Sequence, residues 1–143
     1  MTRVDFYILP QTEDQARWQF ACRLVDKAWR LGNQLLVHTA NHDIAKKIDD
    51  LLWSFSTNSF LPHEILPAVK QTPVHIGWNE ESGQHHDLLI NLSDDIPVFF
   101  SRFERVAEIV TQQPEQLSTS RERYRFYRER GYELQIHDMA KRT

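Results

Sequence analysis

Two short runs of β-branched and aromatic residues, each followed directly by a helical pattern, constrain this chain most strongly. Residues 4–9 (VDFYIL) read as a buried strand that stops at Pro10, and Thr12 with Gln15 offers a capping box for the helix that follows. In that helix Phe20, Ala21, Leu24, Val25, Ala28 and Leu31 recur at helical spacing, and Gly32 stands where a left-handed C-terminal cap is expected. Residues 34–39, centred on Leu35-Leu36-Val37, predict a second strand, after which Asn41 caps a helix whose Ile44, Ile48, Leu51, Leu52 and Phe55 share one stripe. Parallel strands need long crossovers to join them, so this βαβα opening predicts a parallel sheet.

The remainder extends the pattern. Residues 56–73 combine Ser56-Thr57-Asn58-Ser59 with Pro62, Pro67 and Pro73 and predict a long irregular connection. Two further strands are expected at 74–78 and 88–92, joined by a polar stretch containing Gly83. One or two helical turns follow at 97–103, then an alternating strand at 105–110. Pro114 suits the first turn of a helix that runs to about Arg130 and stops at Gly131. A last strand at 133–137 precedes a loose basic tail. The fold class is therefore α/β: a three-layer, Rossmann-like domain spanning 1–143, with a mostly parallel central sheet and helices on both faces.

Several chemistries are disfavoured by what the pattern lacks. The turn after the first strand, residues 9–14 (LPQTED), has no glycine and carries two acids where a phosphate would sit, so no nucleotide cofactor is expected. Cys22 is the only cysteine and lies within a helix, which removes both a disulfide and an exposed thiolate nucleophile. With no basic leader and no long apolar segment, the chain is expected in the cytoplasm and off the membrane. Seven histidines raise the question of zinc, with His85, His86 and Asp87 beside His38, His42 or His63, yet no two lie four apart on one predicted helix. Adjacent His85 and His86 read as solvated loop residues. The pair Asp94-Asp95 reads as a turn or cap, with a metal-dependent site built on His85, His86 and Asp94 as the enzymatic alternative.

Two surface constellations remain. Trp53 lies off the buried stripe of its helix, and Phe60-Leu61-Pro62 follows a few residues later; together they can form an apolar partner surface, unless the loop folds back over Trp53. The second is an island of charge. The net charge of −3 speaks against a protein that wraps nucleic acid, but five arginines fall between 121 and 130 against two glutamates. At 100° per residue, Leu117, Arg121, Tyr124, Arg125 and Arg128 share one helical face, with Phe126 opposite. An apolar notch rimmed by arginine suits an acidic peptide ending in a hydrophobic residue; it could also stack single-stranded bases, or be only a solvated helix face.

The segments VDFYIL at 4–9, Leu52-Trp53, SFLPH at 59–63 and RERYRFYR at 121–128 followed by Gly131-Tyr132 keep an order and spacing that resembles the chi subunit family of bacterial DNA polymerase III, over nearly the whole chain. The resemblance implies a non-catalytic adaptor with a Rossmann-like fold but no nucleotide chemistry. It would join the psi subunit of the clamp-loader complex to the acidic C-terminal tail of single-stranded-DNA-binding protein, with little or no direct nucleic-acid binding. Trp53, Phe60 and Pro62, with Leu61 between them, match the surface used against psi and, in some members, against a competing helicase. Arg121, Tyr124 and Arg125 match the tail pocket, in which an arginine meets the terminal carboxylate. A lysine used by some members one turn earlier is Leu117 here, with Arg128 a possible substitute.

Overall fold

A computed structural model describes residues 1–55 and 61–141. The described strands form one seven-stranded sheet in which every pairing is parallel. In chain order the elements are β1 (Arg3–Ile8), α1 (Asp14–Arg30), β2 (Leu35–His38), α2 (His42–Ser54), β3 (His63–Ile65), β4 (Val74–Gly77), β5 (Leu88–Asn91), β6 (Arg105–Val110), α3 (Pro114–Glu129) and β7 (Glu133–Asp138). Spatially the strands run β3-β4-β2-β5-β6-β1-β7, which puts β3 and β7 at opposite edges.

The period of two along each strand divides the core. On one face α1 and α2 bury Ala21, Cys22, Val25, Ile48 and Leu52 against Val37, Ile76, Ile90 and Ile109. On the other, Val4, Phe6, Leu36, Leu89 and Val106 pack against Phe99, Phe100, Phe103 and the Tyr127 ring of α3. Helices thus cover both faces, and the three-layer expectation holds. Strands buried from both sides cannot alternate in exposure. That is why β6, expected to alternate, is buried from Val106 to Val110.

Helix ends follow the local sequence in part. Asn41 Oδ1 accepts from the Ile44 N–H at 2.9 Å, capping α2. Gly32 takes φ +91°, and the Gly32 and Asn33 amides return to the Trp29 and Ala28 carbonyls, closing α1 in a Schellman turn. The capping box at Thr12 and Gln15 does not form: α1 starts one residue later than that box requires, with Glu13 at the cap and no side-chain hydrogen bond to the helix amides. Leu31, expected on the apolar stripe, is the C-cap residue of α1 and is exposed, one residue past the last turn, in which Ala28 is still buried. Within the expected irregular connection, residues 63–65 add a short edge strand on β4. The tail beyond β7 makes a 3-10 turn, Met139–Lys141, and Met139 packs on the α1-side core.

Candidate functional site

The arginine-rich helix is held to the sheet by a buried polar cluster. Tyr127, fully buried, donates to Glu108 Oε2 at 2.8 Å, and Arg123 Nη1 donates to Glu108 Oε1 at 2.7 Å. Asn91 Nδ2 reaches the same carboxylate at 3.1 Å, and Arg123 Nη2 reaches the Ser93 carbonyl at 2.9 Å. Both Glu108 oxygens are therefore satisfied, as a carboxylate that is 1% exposed requires. Burial, and then the Glu108 charge, raises the Tyr127 phenol well above its ordinary pKa, so it remains a donor throughout the accessible pH range. At its far end α3 closes on Gly131, φ +81°, with the Tyr132 amide returned to the Tyr127 carbonyl.

This anchoring sorts the five arginines. Arg123 turns inward to Glu108, and Arg130 lies over the Phe126 ring at 3.7 Å, on the side away from the notch. Arg121, Arg125 and Arg128 are left exposed, and none of them makes an ion pair among the described residues. With Tyr124 and Ser120 they rim a shallow depression of about 390 Å³, whose floor is Phe6 and Ile8 of β1 and Ile136 of β7. Tyr124 packs on Phe6 at 5.7 Å, and the Arg128 guanidinium stands over the Tyr124 ring at 5.8 Å. The structure thus brings four of the five residues expected on this face into one concavity. Leu117 is not among its walls; it is half-buried against the core beneath α3. Phe6, Ile8, Ser120 and Ile136 were not foreseen. Nothing local to a strand tells which helix will cross it, although Phe6 and Ile8 do share the parity of buried Val4.

The second surface lies at the other edge. Trp53, on the last turn of α2, is 62% exposed, and its ring lies 4.4 Å from that of His63 on β3. Buried His63 is fixed by the Leu61 carbonyl at 2.9 Å and by Asp49, Nε2 to Oδ1 at 3.3 Å. Burial raises the Asp49 pKa, with His63 opposing the shift. Pro62, which precedes His63 in the chain, is exposed, but Leu61 is 3% exposed and lies in the core that α1 and α2 cover, so it offers no side-chain surface. Phe60 lies outside the described residues.

The residues of the enzymatic alternative are not brought together. His85 corrects its reading as a solvated loop residue: it is 7% exposed, stacked on His75 at 4.0 Å, and hydrogen-bonded through Nε2 to the Thr72 carbonyl at 2.8 Å. His86 is exposed, and Asp94 lines a different crevice, between α1 and α3. No cluster of three His, Cys, Asp or Glu side chains suited to a metal occurs among the described residues. Cys22 is buried, and burial pushes its thiol up to about 12, which leaves it un-ionised. No helix among the described residues is long and apolar enough to cross a membrane.

Residues 1–135 match the family described as DNA polymerase III chi subunit, HolC. The DNA polymerase III subunit chi of Pseudomonas aeruginosa is 45% identical over 141 residues, covering 99% of each chain. Those of Haemophilus influenzae and Escherichia coli K12 are 32% and 30% identical, each covering 94% of this chain and 96% of the relative. The chain belongs to the DNA polymerase III chi subunit family, and is a non-catalytic replication accessory subunit of that polymerase.

Proposed function

We propose that the chain is a two-ended adaptor, joining the psi subunit of the clamp-loader complex at its β3 edge to the acidic C-terminal tail of single-stranded-DNA-binding protein at its β7 edge. The observation that carries this reading is the separation of the two surfaces. Trp53 and Pro62 stand beside β3, whereas Arg121, Tyr124, Arg125 and Arg128 stand between α3 and β7. Six inter-strand steps at about 4.8 Å place the two edges roughly 29 Å apart, far enough for two partners to bind without touching.

Each surface matches its partner chemically. A tail that ends in a hydrophobic residue presents an apolar side chain to Phe6, Ile8 and Tyr124, and a carboxylate to the free Arg121 fork. An exposed tryptophan held against a fixed histidine ring is an anchor of the kind that protein interfaces bury. A helicase that competes with psi would use the same Trp53 edge.

Fluorescence anisotropy with a labelled acidic peptide ending in phenylalanine tests the tail end: saturable binding, lost when the terminal phenylalanine is removed, is expected. Co-purification with psi tests the other end, and equal recovery of psi by a Trp53→Ala variant would contradict it.

A further inference from the structure

Trp53 is the last residue but one of α2, at a helix end of the kind that ordinarily frays. No glycine follows in the sequence to close that end, and the last turn carries no basic residue. Within the helix, only the Ser54 hydroxyl turns back, to the Asp50 and Leu51 carbonyls at 3.2 and 3.4 Å. Firmer support comes from the edge strand. His63 is held in β3 by its pairing with Val74, and its side chain is fully buried. Its Nδ1 lies 2.9 Å from the Leu61 carbonyl, and its Nε2 lies 3.2 Å from the Asp49 carbonyl and 3.3 Å from Asp49 Oδ1. The ring thus ties residues 61–63 to the second half of α2, and the Trp53 indole leans on it at 53°. Burial raises the Asp49 pKa, and a hydrogen bond from the Trp53 side chain, whose only donor is the indole N–H, works against the rise. The indole is therefore held twice, by a ring at its face and by a carboxylate at its nitrogen.

We infer that Asp49 and His63 are positioning residues for Trp53: between them they fix an exposed indole in one orientation before a partner arrives. This rests on the reading of the β3 edge as the psi surface, and adds to it the residues that make the surface ready. A tryptophan that is 62% exposed gives up rotamer freedom when a partner buries it, and one already fixed gives up less. His63 has no exposed side-chain surface to offer a partner, so it acts on binding through Trp53. Releasing the hold should weaken the partner about three- to tenfold, whereas removing the indole itself should weaken it about thirtyfold or more.

The test labels the full chain with 5-fluorotryptophan and assigns the Trp53 resonance, among those of the four tryptophans, by its loss in Trp53→Phe. Asp49→Leu and His63→Leu should move that resonance toward the position of a free, solvated indole and leave those of Trp18, Trp29 and Trp78 in place. Asp49→Asn, which keeps an acceptor for the indole N–H, should leave all four unmoved. Psi affinity, titrated on the same samples, should fall about three- to tenfold for the two leucine variants and less than about twofold for Asp49→Asn. A role in the fold alone would lower the urea midpoint without this pattern. If His63→Leu does not fold, Asp49→Leu carries the test, since the Asp49 side chain is 26% exposed and its loss opens no core. An unmoved Trp53 resonance, or psi affinity within about twofold of wild type, in a folded leucine variant would overturn the assignment. Trp53→Ala separates this from the partner reading: if psi binds that variant as tightly as wild type, the psi surface lies elsewhere, and the resonance alone decides whether Asp49 and His63 fix the indole.

Discussion

Arg123 and Glu108 meet at 2.7 Å between the middle of α3 and β6, and the contact decides which arginines of the helix remain available to a partner. Once Arg123 is turned inward, residues 121, 125 and 128 must face the notch, since they lie two back, two on and five on along a helix of fixed pitch. Removing one partner leaves the other buried without its counter-charge. Arg123→Met should therefore destabilise the fold by about 3 kcal/mol. Urea unfolding checks this, and a loss below about 1 kcal/mol would show the pair to be dispensable.

Arg121→Ala should behave in the opposite way. The side chain is exposed and has no ion pair among the described residues, so stability should change by less than about 0.5 kcal/mol. Affinity for the acidic peptide should nonetheless fall below detection in anisotropy. Wild-type affinity in this variant would remove the carboxylate role given to Arg121.

Trp53→Ala should reduce psi recovery and leave peptide affinity unchanged, and the double variant with Arg121→Ala should show the two single losses added. Sites this far apart with no shared contacts are expected to be independent. A coupling of more than about 1 kcal/mol in the double-mutant cycle would mean that the two edges communicate through the sheet.

Acid should weaken the fold through two histidines. Burial lowers His38 and His75 from 6.5 to about 4, with the neighbouring His85 adding to the effect on His75, and neither His75 ring nitrogen has a hydrogen-bond partner among the described residues. Between these two values the unfolded chain binds more protons than the folded one. Stability is thus fully present above the unfolded pKa and is lost as pH falls toward 4, by on the order of 2 kcal/mol for each histidine. Urea unfolding from pH 7 to pH 4 should show the decline, and His75→Leu should flatten it. An unchanged slope in that variant would assign the titration elsewhere.

Much of this was legible in the sequence because the signals were local. The two strand-helix units, the Asn41 cap and the Gly32 and Gly131 stops depend on residues a few positions apart, and each appears where its spacing predicts. The arginine face was legible for the same reason, since 3.6 residues per turn fixes which side chains share a side. What escaped depends on distant neighbours. The floor of the depression comes from β1 and β7, more than a hundred residues apart in sequence, and Phe6 meets Ile136 only because β7 pairs with β1. Leu61 read as surface because it sits between Phe60 and Pro62, but its side chain turns into the core that α1 and α2 cover. His85 read as solvated because its support comes from His75, ten residues earlier on β4.

The most direct test of the two-ended account is sequential binding on a surface carrying the acidic tail peptide. The chain is captured first and psi is then added. The account predicts a further increase in bound mass, to one psi per captured chain, with no release of the chain. Release of the chain on addition of psi, or no added mass from a psi preparation that binds the chain in solution, would contradict it.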